Sequence, residues 1–255
     1  VLEDWCRFGL KEKEIALKIK NWRQELGTLH HPIYRTARQV SEDPTKGVSH
    51  HAQKTRVAIH KVISANSSRV QEALRVIEEF TRITDINLSK TASDIRYSIY
   101  EIENIIISAD SRLKRGRILE NCKLCLITNN KNNLTEIVIE ALKSGVKMVQ
   151  YRCKEGNDKK RLIEAESLSL ACKDFKALFI VNDRVDIALA LNADGVHLGQ
   201  NDMPIEMARN ILGSEKLIGK STHSIQEMKQ AEEEGSDYLG LGPIFASTTK
   251  PGIAP

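Results

Sequence analysis

IVNDRVDIALALNADGVHLGQND, residues Ile180–Asp202, holds two short apolar runs, each ending in a polar cluster with one acidic residue, Asp183 and Asp202. The runs LFIV (Leu178–Val181) and GVHLG (Gly195–Gly199) have strand length and β-branched content, and VDIALAL between them has a helical repeat. A strand–helix–strand crossover makes its two strands parallel and usually neighbours, about 4.8 Å apart, so both acidic clusters leave the sheet at one end. Asp183 and Asp202 are therefore expected to face one site.

Outward from this unit the same pattern recurs. Strand-like runs are KLCLIT (Lys123–Thr128), VKMVQY (Val146–Tyr151), KLIGKS (Lys216–Ser221) and YLGLGPIF (Tyr238–Phe245), with helical segments between them. One of these segments opens with a capping box from Ser224 to Glu227 and ends at Gly235. Such alternation predicts an α/β fold with a parallel sheet. Periodicity leaves a doubly wound sheet and a (β/α)8 barrel open, and no G-x-G-x-x-G follows a strand to favour a dinucleotide fold.

Residues 1–120 read instead as an all-helical domain. Ile63, Val70, Leu74, Ile77 and Phe80 fall at near-helical spacing and predict one apolar face. A weak internal repeat pairs VLEDWCRF (Val1–Phe8) with VIEEFTRI (Val76–Ile83), and IKNWRQEL (Ile19–Leu26) with SDIRYSIY (Ser93–Tyr100). Thr28–His51, with two prolines and the pairs His30–His31 and His50–His51, reads as a loop-rich connector. Adjacent histidines point in different directions, so ordinary surface histidines are expected there. The polar segment ADSRLKRGRILEN (Ala109–Asn121) is read as the separator, giving domains 1–120 and 121–255.

Composition excludes several classes. The chain has 255 residues, 41% hydrophobic and 28% charged, enough for a sizeable core in one or two domains. No apolar run approaches the roughly 18 residues that span a bilayer, so no membrane association is expected. Five scattered cysteines argue against a disulfide framework and for a reducing cytoplasm. The lone C-x-x-C, Cys122 and Cys125, lacks the partners of a zinc site and predicts buried strand residues. A formal net charge of +4 is too modest for a nucleic-acid surface.

The chemistry lies at the strand ends. Polar residues follow strand after strand: Gln150, Arg152 and Lys154; Asn182 and Asp183; Gln200 and Asp202; Ser221, Thr222 and His223; Ser247, Thr249 and Lys250. In a barrel that end carries the active site. Cations beside two carboxylates suit a phosphorylated ligand: Asp183 and Asp202 would share Mg2+ with a pyrophosphate group, and Arg152, Lys154 and Lys250 would neutralise the remaining charge. Either aspartate alone is read as a helix N-cap, worth about 1 kcal/mol, and it is the two together beside the cationic strand ends that point to a site. His197 is read as a satisfied core histidine.

Four motifs in order, VQYRCK, IVNDRVDIALALNADGVHLGQNDMP, IGKSTHS and YLGLGPIFASTTK, resemble the thiamine-phosphate synthase family from about Cys122 onward. The resemblance implies a (β/α)8 barrel that joins a hydroxymethylpyrimidine diphosphate to a thiazole phosphate with Mg2+, by a dissociative substitution without an enzyme nucleophile. It implies that Gln150, Tyr151, Arg152, Cys153, Lys154, Asn182, Ser221 and Lys250 hold the pyrimidine diphosphate. Ser247, Thr248 and Thr249 would contact the thiazole phosphate, and Asp183 and Asp202 the metal. Cys153, Asn201 and Ser247 depart from the residues common in the family, without removing a charge assigned above. A thiazole tautomerase-like barrel is the rival, disfavoured by Arg152, Lys154 and both aspartates.

ANSSRVQEALRVIEEF and LEDWCRF resemble the helical domain fused to this synthase in cyanobacteria, which implies a hydroxymethylpyrimidine-phosphate kinase. No Walker loop is present in residues 1–120, so a non-catalytic scaffold, docking the barrel or a homo-oligomer partner, stands beside it. The start at Val1 and the end at Pro255, after about six strands, predict truncation at both ends and little activity from the chain alone. The expected partners are small phosphorylated substrates.

Overall fold

All six predicted strands form, four within their predicted runs and two, Leu178–Asn182 and Leu217–Thr222, extending one residue beyond theirs. The computed structural model describes residues 1–29, 58–154 and 156–244. The chain divides into two compact units, Val1–Asp110 and Ser111–Pro255.

The first unit is helical among the described residues. Helix α1 (Leu2–Asp4) continues as a π-helical turn over Trp5–Leu10, followed by α2 (Lys13–Thr28), α3 (Ile59–Thr81) and α4 (Ile86–Glu120). Its core packs Leu2, Cys6, Ile63, Leu74, Ile95, Ile99, Ile102 and Ile106. The expected apolar face of α3 is only half right. Ile63 and Leu74 are buried, but Phe80 is 80% exposed and Val70 also faces out. The buried stripe instead runs Ile63, Ser67, Leu74, Glu78 and Thr81, all at helical spacing.

Two of its three polar groups have partners, Glu78 and Thr81, whose hydroxyl donates to the Ile77 carbonyl at 2.6 Å, whereas the buried Ser67 hydroxyl has none among the described residues. Glu78 pairs with Arg96 at 2.9 Å, and its backbone carbonyl accepts from Ser89 Oγ at 2.8 Å. Burial alone would raise the Glu78 carboxyl, but hydrogen bonds and charge from Arg96 outweigh it and hold the carboxyl below its usual range. Glu3, which aligns with Glu78, also pairs with an arginine, Arg23 of α2, at 3.2 Å, although in the repeat Arg96 aligns with Trp22. The connector with the histidine pairs lies outside the described residues, apart from Thr28, which ends α2, and Leu29.

In the second unit β1 (Cys125–Ile127), β2 (Met148–Tyr151), β3 (Leu178–Asn182), β4 (Gly195–Leu198), β5 (Leu217–Thr222) and β6 (Tyr238–Leu241) are all parallel, in the order β1-β2-β3-β4-β5-β6. A doubly wound sheet would reverse its strand order at a switch point, and this one does not. Among the described residues it is a half-barrel.

Alternation along each strand sorts the side chains. Val149, Tyr151, Phe179, Val181, Val196, Leu198 and Ile218 face outward, where they form the main core with α5 (Leu134–Lys143), α6 (Asp158–Asp174), α7 (Val185–Ala190), α8 (Ile205–Leu212) and α9 (Ile225–Glu233). Met148, Leu178, Ile180 and Leu217 face inward, against Ile118 and Leu119 at the end of α4. The predicted separator is thus helix. Arg115 donates to Asp194 at 2.9 Å, Asp194 accepts the Phe179 N–H at 3.0 Å, and Arg112 and Arg209 share Asp237. These pairs sit at the N-terminal strand ends, the face that carries stability rather than chemistry in such folds.

Cys125 is exposed and Cys122 half-buried, contrary to the expected burial, because β1 has only one neighbour among the described residues. No helix among the described residues is long and apolar enough to cross a membrane.

The Glu78–Arg96 pair gives a direct test. Because the folded carboxyl titrates below its unfolded value near ~4.3, its contribution is full above that pH and is lost as pH falls through the folded value. Arg96→Met leaves Glu78 buried with Arg82, itself 55% exposed, and Ser93, so urea unfolding at pH 7 is expected to lose about 3 kcal/mol. The deficit should shrink below about pH 4.

Candidate active site

The inward layer near the C-terminal strand ends is polar. Gln150 Nε2 donates to Asn182 Oδ1 at 2.6 Å, across β2 and β3. Asn182 stands opposite His197 in the β3–β4 register, and His197 Nε2 lies 2.9 Å from Ser221 Oγ on β5. His197 Nδ1 lies 3.3 Å from the Tyr238 hydroxyl on β6. With Thr128, Arg152, Lys154 and His223 these side chains line a cavity of about 780 Å³. A row of amides and hydroxyls on one wall with two cations at the rim can orient a polar ring and neutralise an attached anion.

The rim is braced from outside. Thr128 Oγ1 accepts the Arg152 N–H at 2.9 Å, and Arg161 donates to the Lys154 carbonyl at 3.2 Å. Arg161 and Arg184 both bind Asp158, and Arg184 also binds Asp186, which stitches the loops after β2 and β3 together. Hydrogen bonds from Arg184 and Arg161 bring the Asp158 carboxyl down to about 2. His223 Nδ1 meets the Gly242 carbonyl, and its N–H donates to Glu227 at 2.7 Å beside the Ser224 cap of α9.

Neither aspartate caps the helix after it. The N-cap of α7 is Arg184 and that of α8 is Pro204, and neither makes a side-chain cap bond. Asp183 is exposed and left-handed, at φ 64°, a region that aspartate tolerates better than most residues. Its N–H donates to the His197 carbonyl at 2.9 Å. Asp202 is half-buried and accepts the Gly199 N–H at 2.6 Å, while the Gly199 carbonyl accepts from the buried Lys220 ammonium at 2.9 Å. Asp202 lines a smaller cleft with Gln200, Lys220 and Glu227. Among the described residues no cluster of three or more histidine, cysteine or carboxylate groups could cage a metal. Two carboxylates on adjacent strand ends suit Mg2+, which keeps waters and takes substrate phosphate oxygens.

Gln150, Arg152, Lys154, Asn182 and Ser221 meet in the cavity. Tyr151 and Cys153 do not, because alternation turns them outward: Tyr151 stacks on Phe179 and donates to Glu164 at 2.8 Å, and Cys153 packs on the main core. Ser247, Thr248, Thr249 and Lys250 lie outside the described residues. His197 is the satisfied core histidine expected, buried and bonded at both ring nitrogens, and with Tyr238 it also lines the cavity. Gly219 on β5 and Gly240 on β6, whose missing side chains leave room for the His197 ring, were the available signal for that.

Fold and site define a parallel β/α enzyme that gathers its polar groups at the C-terminal strand ends. The thiamine monophosphate synthase family profile matches residues 124–255, and the ThiD2 family profile residues 1–105. A thiamine-phosphate synthase of Prochlorococcus marinus is 52% identical over 98% of this chain and 72% of its own length. One of Synechococcus sp. (strain CC9311) is 51% identical over 100% and 74%. A solved thiamine phosphate pyrophosphorylase from Pyrococcus furiosus is 39% identical, covering 52% of this chain and 63% of that one, with a TM-score of 0.47. The chain belongs to the thiamine-phosphate synthase family, and the enzyme is a transferase.

Opposite faces of one strand should respond differently. Gln150→Leu is expected to lower kcat/KM at least about tenfold with little change in unfolding. Tyr151→Phe should instead cost about 1 kcal/mol of stability through the lost Glu164 bond, with a much smaller kinetic effect.

Proposed function

We propose that the cavity binds 4-amino-2-methyl-5-hydroxymethylpyrimidine diphosphate and transfers its pyrimidine-methyl group to the nitrogen of a thiazole phosphate. The bond from the methylene carbon to the diphosphate oxygen breaks, the carbon–nitrogen bond forms, and pyrophosphate leaves, giving thiamine phosphate. The observation that supports this most is the layer Gln150, Asn182 and Ser221 beneath the rim cations Arg152 and Lys154.

Gln150, Asn182 and Ser221 orient the ring by hydrogen bonds. Arg152 and Lys154, with Lys250, hold the diphosphate and stabilise the charge that grows on it as the bond breaks, a preorganised electrostatic effect. Ser247, Thr248 and Thr249 contact the thiazole phosphate. Asp183 and Asp202 would hold Mg2+, which, when bound, neutralises the leaving pyrophosphate. No side chain acts as a nucleophile. Departure of the diphosphate precedes attack, so the wall must exclude water from the electron-poor methylene carbon.

Asp183→Asn tests the metal assignment cleanly, since asparagine also tolerates the left-handed backbone. Asp183→Asn and Asp202→Asn are each expected to lower kcat at least about a hundredfold and raise the Mg2+ concentration for half-maximal rate. Unchanged rate and metal dependence in both would sink the assignment.

For residues 1–120 the reading we favour is a scaffold. Its buried carboxylate Glu78 is engaged by Arg96 within the helices, and its sequence has no Walker loop. Incubation of the protein with hydroxymethylpyrimidine monophosphate and ATP should give no diphosphate by chromatography. Stoichiometric ADP and diphosphate would establish the kinase instead.

A further inference from the structure

Three side chains on three consecutive strands meet at the cavity wall: Ser221 of β5, His197 of β4 and Tyr238 of β6. His197 Nε2 is 2.9 Å from Ser221 Oγ and Nδ1 is 3.3 Å from the Tyr238 hydroxyl, with the two rings 5.5 Å apart. The neighbouring inward positions are empty of side chains to admit them. A Cβ on Gly219 would lie 2.2 Å from Tyr238 Cζ and 2.6 Å from His197 Nδ1, and one on Gly240 would lie 3.1 Å from His197 Cε1.

We propose that Tyr238 and His197 form a hydrogen-bonded relay that fixes the Ser221 hydroxyl as a donor pointing into the cavity. His197 is thus a positioning residue. The direction follows from what each group can do. Burial pushes the Tyr238 phenol up, so it keeps its proton and donates to Nδ1. A neutral imidazole accepting at Nδ1 carries its proton on Nε2, which donates to Ser221 Oγ. An imidazolium also donates from Nε2, so the consequence for serine is the same. With Oγ accepting from His197, its single proton is free for an acceptor in the cavity, such as an aromatic ring nitrogen. This last step rests on the reading of Ser221 as a substrate contact.

Two measurements separate the relay from that reading. In 15N-histidine spectra, with the His197 signal assigned by its loss in His197→Gln, the expected state is protonated at Nε2, and Tyr238→Phe should shift it toward a tautomer mixture. A ring protonated at Nδ1 alone would overturn the relay. In kinetics, His197→Ala and Ser221→Ala should each lower kcat/KM about tenfold, and the double variant no further. His197→Gln, whose amide reaches the Nε2 position, should recover most of the loss, and His197→Asn should not. Losses that multiply to about a hundredfold would contradict a relay through Ser221. If Ser221→Ala is kinetically silent while the Nε2 proton is observed, the relay stands and the substrate role of Ser221 fails.

Discussion

The backbone bonds that hold β3 beside β4, with Ile180 opposite Gly195 and Asn182 opposite His197, decide which side chains can share a site. In a parallel ladder every strand ends on the same edge, and a one-residue slip would exchange the inner and outer faces. The apolar set Phe179, Val181, Val196 and Leu198 pins the register, because a slip would turn all four away from the helices. Once they are fixed, Asn182 and His197 must point into the half-barrel. The polar layer therefore depends on the packing of the opposite face.

Within that frame the two ends of the sheet divide their work. At the N-terminal ends, carboxylates such as Asp194 and Asp237 are used up by arginines and strand N–H groups. At the C-terminal ends, Arg152 and Lys154 reach the cavity rim, and bonds from Thr128 and Arg161 hold their backbone among the described residues. Arg184 shows the contrast. It lies beside Asp183 but is engaged by Asp158 and Asp186, so it braces the loop and leaves the rim to its neighbours.

Much of this was legible in the residues themselves. Apolar runs of four to eight residues located every strand among the described residues, and polar residues after them located the active edge. Periodicity could not choose between barrel and doubly wound sheet, since both alternate strand and helix, and only the pairing order does so. On α3 the apolar pattern misled because Ser67, Glu78 and Thr81 lie on its buried face. Glu78 is buried through Arg96, 18 positions away, and Thr81 turns its hydroxyl back onto its own helix. Residue type also misjudged VQYRC, where alternation sends Gln150 and Arg152 inward and Tyr151 and Cys153 outward. His197 was legible as a satisfied core residue, but its partners Ser221 and Tyr238, 24 and 41 positions away, were not.

A crystal structure of the protein with Mg2+ and the pyrimidine diphosphate tests the central claim most directly. The diphosphate oxygens should lie within hydrogen-bond reach of Arg152 and Lys154, the ring against Gln150, Asn182 and Ser221, and the metal on Asp183 and Asp202. Diphosphate bound elsewhere, with the Gln150–Asn182 wall untouched, would contradict the account.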